Sequence, residues 1–200
     1  RLTGQVAPFL KPTILVDGRP LIQHACTHAW TKWEVLKQDT IIVVSPQNAS
    51  VIPNLVPSGP VKYVLQPEPR GIVDAIARAL PLVKCPWTCI LCADNIFREA
   101  TTEDFTFPLF ASKELHPHDA NRFTTYSVHG PQKFQPAGKA YGSTTCWIGP
   151  LILPTQLLNE YFDNTPGTQI VDLLNRINEQ TEITPYPMLC SDMGVPEEIV

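Results

Sequence analysis

The sequence predicts an α/β fold in which a mostly parallel sheet is covered by helices on both faces. Three observations carry this reading. The runs Ile41–Val44, Val61–Leu65 and Trp87–Cys92 are apolar along nearly their whole length, the pattern of strands buried on both faces. Segments with apolar residues at helical spacing separate them, and strand–helix alternation of this kind builds parallel sheets. The chain has 200 residues, 44% of them apolar, with no repeat and no linker. That is one domain, residues 1–200, with its own core.

Taken in order, Leu21, Ile22, Ala25, Cys26, Ala29, Trp30 and Trp33 share one helical face, so residues 20–36 form an amphipathic helix. Ile41–Val44 is a strand stopped by Ser45-Pro46, and Val61–Leu65 a second one closed by Pro67 and Pro69. Ile72, Ile76, Leu80 and Val83 place a helix just after Gly71. Trp87–Cys92 is the third strand and runs into Ala93-Asp94-Asn95. Arg122–Val128 and Ser143–Ile148 read as strands, with Pro131–Lys139 a polar loop between them. Pro154 suits the first position of a helix carrying Leu157, Leu158, Tyr161 and Phe162. Thr165-Pro166 signals the start of another, carrying Ile170, Leu173, Leu174 and Ile177.

Several function classes fall away. Fifteen basic against nineteen acidic side chains give a net charge of −4, without the basic excess a nucleic-acid partner needs. No apolar run reaches the roughly 18 residues of a membrane helix. Cys26, Cys89, Cys92 and Cys146 lie inside apolar runs and read as free thiols, which suits a reducing cytoplasm. The glycines form neither a dinucleotide fingerprint nor a P-loop, and no nucleophile elbow is present. His24 and His28, four apart on a helix, and His116-Pro117-His118-Asp119 lack a complete ligand set. They read as a helix face and a solvated loop.

Asp94 is different. Ligands of parallel α/β sheets bind beyond the carboxyl ends of strands, and Asp94 directly follows one. A carboxylate there suits Mg²⁺, whose shell phosphate oxygens complete. It equally suits the cap of a following helix.

The words around it resemble the sugar-1-phosphate nucleotidylyltransferases, the glucose-1-phosphate thymidylyl- and uridylyltransferases and their relatives. Arg1-Leu2, then Lys11, then Val16-Asp17-Gly18-Arg19-Pro20-Leu21-Ile22 are similar to that family's opening, from the end of its Gly-rich loop onward. Tyr63-Val64-Leu65-Gln66-Pro67-Glu68-Pro69-Arg70-Gly71 resembles its base-binding segment. Leu91-Cys92-Ala93-Asp94-Asn95-Ile96-Phe97 resembles its metal segment, and Ser191-Asp192-Met193-Gly194-Val195-Pro196-Glu197 the segment with its second metal carboxylate. Gln132-Lys133-Phe134 is an altered form of its sugar-side "E-K-P". The likeness covers most of residues 1–98 and again 185–198.

The resemblance implies a Rossmann-like three-layer sandwich of the nucleotide-diphospho-sugar transferase type, whose first strand and Gly-rich loop would precede Arg1. It implies a Mg²⁺-dependent transfer between a nucleoside triphosphate, dTTP or UTP favoured, and a sugar 1-phosphate, giving a nucleotide-diphosphate sugar and pyrophosphate. Under it Arg1 and Lys11 are catalytic cations, and Gln66 and Gly71 bind the nucleotide. Lys133 and Gly142 bind the sugar phosphate, and Asp94 and Asp192 ligate the metal, within about 8 Å of each other. On residue type alone Lys133 is equally an exposed loop lysine. Oligomeric state stays open, a homo-oligomer included. Two other readings stand beside this one: a catalytically silent relative that binds nucleotide sugar, given the altered "E-K-P", and a glycosyltransferase, which would usually show an Asp-x-Asp where Asp94-Asn95-Ile96 stands.

Overall fold

A computed structural model of the chain describes residues 8–68, 70–99, 107–116, 121, 123–130, 133–139, 142–164 and 169–192. A 3₁₀ turn over Pro8–Thr13 leads to the hairpin β1 (Leu15–Val16) and β2 (Arg19–Pro20). Its turn residues Asp17 and Gly18 both have positive φ, as a two-residue hairpin requires. Then follow α1 (Leu21–Lys32), β3 (Ile41–Val44), α2 (Ile52–Leu55), β4 (Lys62–Leu65), α3 (Ile72–Ala79), β5 (Trp87–Ile90) and β6 (Asn95–Glu99). The second half holds β7 (Leu109–Glu114), β8 (Thr125–Tyr126), β9 (Phe134–Gln135), β10 (Thr145–Pro154), α4 (Thr155–Asp163), α5 (Ile170–Asn178), β11 (Thr184–Pro187) and β12 (Leu189–Asp192).

The α/β class is as the alternation of elements implies. β3 and β4 run parallel with Ile41 opposite Lys62, and β11 runs parallel to β7. The other described ladders are antiparallel, so the six-stranded sheet of β5, β7, β8, β9, β10 and β11 is mixed, while β3–β4 and β6–β12 form separate pairs. The cause is β10. It spans ten residues where the sequence suggests six, and it bonds antiparallel to β5, β7 and β8. Pro154 is the last residue of that strand, and α4 begins at Thr155. α1 stops at Lys32, four residues before the expected end. The Thr165-Pro166 signal lies outside the described residues.

One expectation for the second half needs correction. Pro131–Lys139 is not wholly polar loop, because Phe134 is fully buried between the rings of Phe110 and Tyr126, 5.2 and 5.0 Å away. Asn175 of α5 pins this residue, accepting from its N–H at 2.9 Å and donating to its C=O at 2.8 Å. β11 carries two prolines yet pairs, because Thr184 and Met188 donate to Pro108 and Ser112 on the β7 side. Pro185 and Pro187 point their missing donors away from β7, at the sheet's edge.

Helices α4 and α5 cover one face around Phe110, Leu151, Leu153, Leu158, Leu173 and Leu174, with Ile76 of α3 joining them. The opposite face carries Phe97, Ala111, Cys146, Ile148 and Met188, with Trp33 beyond the end of α1 packed on Phe97 at 5.2 Å. Gly149 sits at the irregularity of β10, where a Cβ would come within 2.8 Å of Phe97 and 3.2 Å of Ala111. No larger residue fits there without shifting both. A third cluster, Ile22, Cys26, Ile42, Val44, Ile52 and Val56, joins α1 to β3.

Candidate active site

Asp94 lies in the turn after β5, between Cys92 and Asn95, and not at the start of a helix; β6 begins at Asn95. Its carboxylate meets the Lys11 ammonium at 3.8 Å, both side chains about a third exposed (27% and 32%). Lys11 arrives on the 3₁₀ turn over Pro8–Thr13. Asp192 comes from the far end of the chain: β12 runs antiparallel to β6 with Asp192 opposite Asn95. Directly opposed residues have Cα atoms about 4.5–5.5 Å apart, so the backbone of Asp192 stands across the ladder from the residue after Asp94. Nothing local brings these two positions together. Arg1 and the Gly194–Glu197 segment lie outside the described residues.

Gln66 follows β4, held by its N–H on Val44 C=O at 2.8 Å. Its side-chain amide donates to Gly71 C=O at 3.0 Å and to the Asp74 carboxylate at 2.9 Å. Gly71 has φ +87° and ψ −177° and precedes α3, a region of backbone space open essentially to glycine alone. A Cβ there would meet nothing within 4 Å, so the glycine answers to the backbone angle, with open space above it. Asp74 also accepts from Arg78 Nε at 2.7 Å. The hydrogen bond from Arg78, then the one from Gln66, hold its carboxyl below the usual carboxylate range. The sequence reading missed Asp74 and Arg78, although their i,i+4 spacing on α3 was visible.

Lys133 and Gly142 meet through Ser127. The Ser127 N–H donates to Lys133 C=O at 2.8 Å and its hydroxyl to Gly142 C=O at 3.1 Å. The Lys133 ammonium donates to Glu182 at 3.2 Å. That bond, with the buried Tyr126 ring beside it, raises the Lys133 pKa above its ordinary value. The lysine is therefore ion-paired and only about a quarter exposed (27%), unlike a free loop lysine.

The residues the sequence singles out thus form three described groups: Lys11 with Asp94 and the backbone of Asp192; Gln66 with Gly71; and Lys133 with Gly142. The histidine pair is not a metal site. His24 Nε2 hydrogen-bonds Val16 C=O at 2.9 Å, while His28 packs on Trp33 and Phe97, its pKa lowered by burial and by Lys32. Among the described residues no three His, Cys, Asp or Glu side chains cluster as metal ligands. Cys26, Cys85, Cys89, Cys92 and Cys146 are free thiols, and burial pushes Cys89 up to about 12, which disfavours its thiolate.

No protein-family model matches the chain, and no curated protein matches it by sequence. Solved structures do match. One described as a glucose-1-phosphate thymidylyltransferase of Bacillus anthracis, in complex with sucrose, is 17% identical and superposes with a TM-score of 0.80, over 97% of this chain and 87% of that one. A UTP-bound UGPase of Acinetobacter baumannii is 15% identical, with a TM-score of 0.70 over 94% and 82%. An inositol-1-phosphate CTP transferase of T. maritima is 14% identical, with a TM-score of 0.72 over 100% and 85%. By its architecture, this chain has the fold of the sugar-phosphate nucleotidyltransferases.

Proposed function

We propose that the protein joins a nucleoside triphosphate, dTTP or UTP, to a sugar 1-phosphate, giving a nucleotide-diphosphate sugar and pyrophosphate. The observation that carries this reading is the meeting of Lys11 with Asp94 at the end of β5, beside the backbone of Asp192. A cation and two carboxylate positions converge there from three distant parts of the chain. The shared fold supports the same reading.

The sugar-phosphate oxygen is already anionic near neutral pH, so no general base is needed. That oxygen bonds to the α-phosphorus in line, and the bond from the α-phosphorus to the bridging oxygen breaks, releasing pyrophosphate. Catalysis is then alignment and neutralisation of charge. Lys11 neutralises the triphosphate, a role it shares with Arg1. The fold's open turn above Gly71 admits the nucleotide, and Gln66 reads the base. Lys133 with Gly142 holds the sugar phosphate.

Asp94 offers hard oxygen donors, partly exposed at a strand end, and these suit Mg²⁺ with Asp192 as second carboxylate. Such an ion would supply a template and charge stabilisation for the phosphates. The free thiols support a reducing, cytoplasmic setting. No described helix is long and apolar enough to cross a membrane, and the reading asks for no nucleic-acid partner.

Pyrophosphate release, measured over the common nucleoside triphosphates with a panel of sugar 1-phosphates and Mg²⁺, tests the proposal. Release that needs both substrates supports it. Binding of nucleotide sugar with no release in either direction would favour the silent relative instead.

A further inference from the structure

The Lys133 ammonium has two partners of opposite character. It donates to the Glu182 carboxylate at 3.2 Å, and that side chain is 72% exposed. It also hydrogen-bonds the hydroxyl of Tyr126, a residue only 3% exposed whose ring packs on Phe110 and Phe134, 5.1 and 5.0 Å away. The tyrosine contact is built into the core. The glutamate contact faces water.

Both backbones are fixed while both side-chain ends stay movable. Ser127 N–H holds Lys133 C=O at 2.8 Å, and the next residue, Phe134, is fully buried. Glu182 lies between α5 and β11. Ile183 after it is fully buried and donates its N–H to the Asn178 side chain at 3.0 Å. The pair therefore opens by side-chain rotation alone. Opening costs the carboxylate little, because an exposed ion pair is weak and the freed carboxylate returns to water. For the largely covered ammonium it is costly unless another anion takes the vacated place.

We infer that Glu182 is a positioning residue of the sugar-phosphate site, a place-holder on Lys133 that the substrate's phosphate displaces while Tyr126 keeps its hold. The inference rests on the reading of Lys133 as the sugar-phosphate contact. A phosphate monoester carries about two negative charges near neutral pH, against one on Glu182, so the exchange favours the phosphate. While the pair is closed the ammonium is not available, and the apparent affinity is scaled by the open fraction. Glu182 thus keeps the ammonium in one place between substrates and weakens sugar-phosphate binding in doing so.

Titration calorimetry with the same panel of sugar 1-phosphates tests this, in Mg²⁺ and the α,β-methylene analogue of UTP, which cannot release pyrophosphate. For the sugar 1-phosphate that binds tightest, Lys133→Met should weaken binding by about tenfold or more. Glu182→Gln should tighten it by about two- to sixfold, the factor set by how long an exposed pair stays closed. Affinity for the analogue itself should stay unchanged; a general loosening of the region would weaken both. The gain should largely vanish when Lys133→Met is already present. Lys133→Met without effect, or no binding by any member of the panel, removes the reading of Lys133 and this inference with it. If Lys133→Met weakens binding but Glu182→Gln does not tighten it, this inference alone is overturned. A gain of equal size on the Lys133→Met background also overturns it, since that would be plain repulsion of the phosphate.

Discussion

One carboxylate oxygen of Asp74 takes two donors, the Gln66 amide at 2.9 Å and Arg78 Nε at 2.7 Å. The second N–H of Gln66 goes to Gly71 C=O. With both N–H groups committed, what the amide can offer a ligand is its carbonyl oxygen. That oxygen suits a base edge with a ring N–H, as in thymine or uracil.

Asp74→Ala should therefore free the amide to flip. The KM for dTTP or UTP should rise several-fold, with kcat changed less, and discrimination against CTP should narrow. Asp74→Asn, which keeps an acceptor, should recover part of the loss. Steady-state kinetics on the triphosphates read this out.

The same carboxyl sets a pH expectation. Its folded pKa is depressed, first by Arg78 and then by Gln66, so its contribution is present above the ordinary value of 3.8 and lost only as pH falls through the lower folded value. Nucleotide KM measured from pH 5 to 8 should show no inflection that Asp74→Asn removes.

Lys11→Met should lower kcat by about 10²- to 10³-fold, the loss of about 3–4 kcal/mol that follows removal of one preorganised charged contact. Stability should hardly change, because the partly exposed pair with Asp94 is worth at most about 1 kcal/mol. Thermal melts and turnover together separate the two effects.

Asp94→Asn and Asp192→Asn should each shift the Mg²⁺ concentration for half-maximal activity upward by about tenfold or more. On the proposed reading both hold one ion, so their effects should not add. A Mg²⁺ titration of the two single variants and the double variant checks this.

Asn175→Ala should cost about 1–3 kcal/mol in urea unfolding, because it strands two backbone groups of the buried Phe134. Catalysis at a temperature below the transition should be unchanged.

The strands that were legible are those with dense apolar runs, and β3, β4 and β5 fall where the sequence puts them. β6, β11 and β12 were not. β11 reads Thr-Pro-Tyr-Pro, a loop by composition, and it pairs only because its prolines face away from β7. Lys133 was legible as a charge, whereas Glu182, 49 residues away, has no local signal to announce it. Asp94 and Asp192 could be picked out by resemblance, but only the β6–β12 register shows how the chain makes them neighbours.

That register also fixes an order in time. β6 is complete by Glu99, yet its partner begins at Leu189, so during synthesis β6 must wait for about ninety further residues. β5 waits similarly for β10, and β7 for β11. The carboxylate neighbourhood is therefore assembled only after Asp192 has been made. A ribosome stalled before Leu189 leaves most of the described strands in place without the Asp192 backbone beside the Asp94 turn.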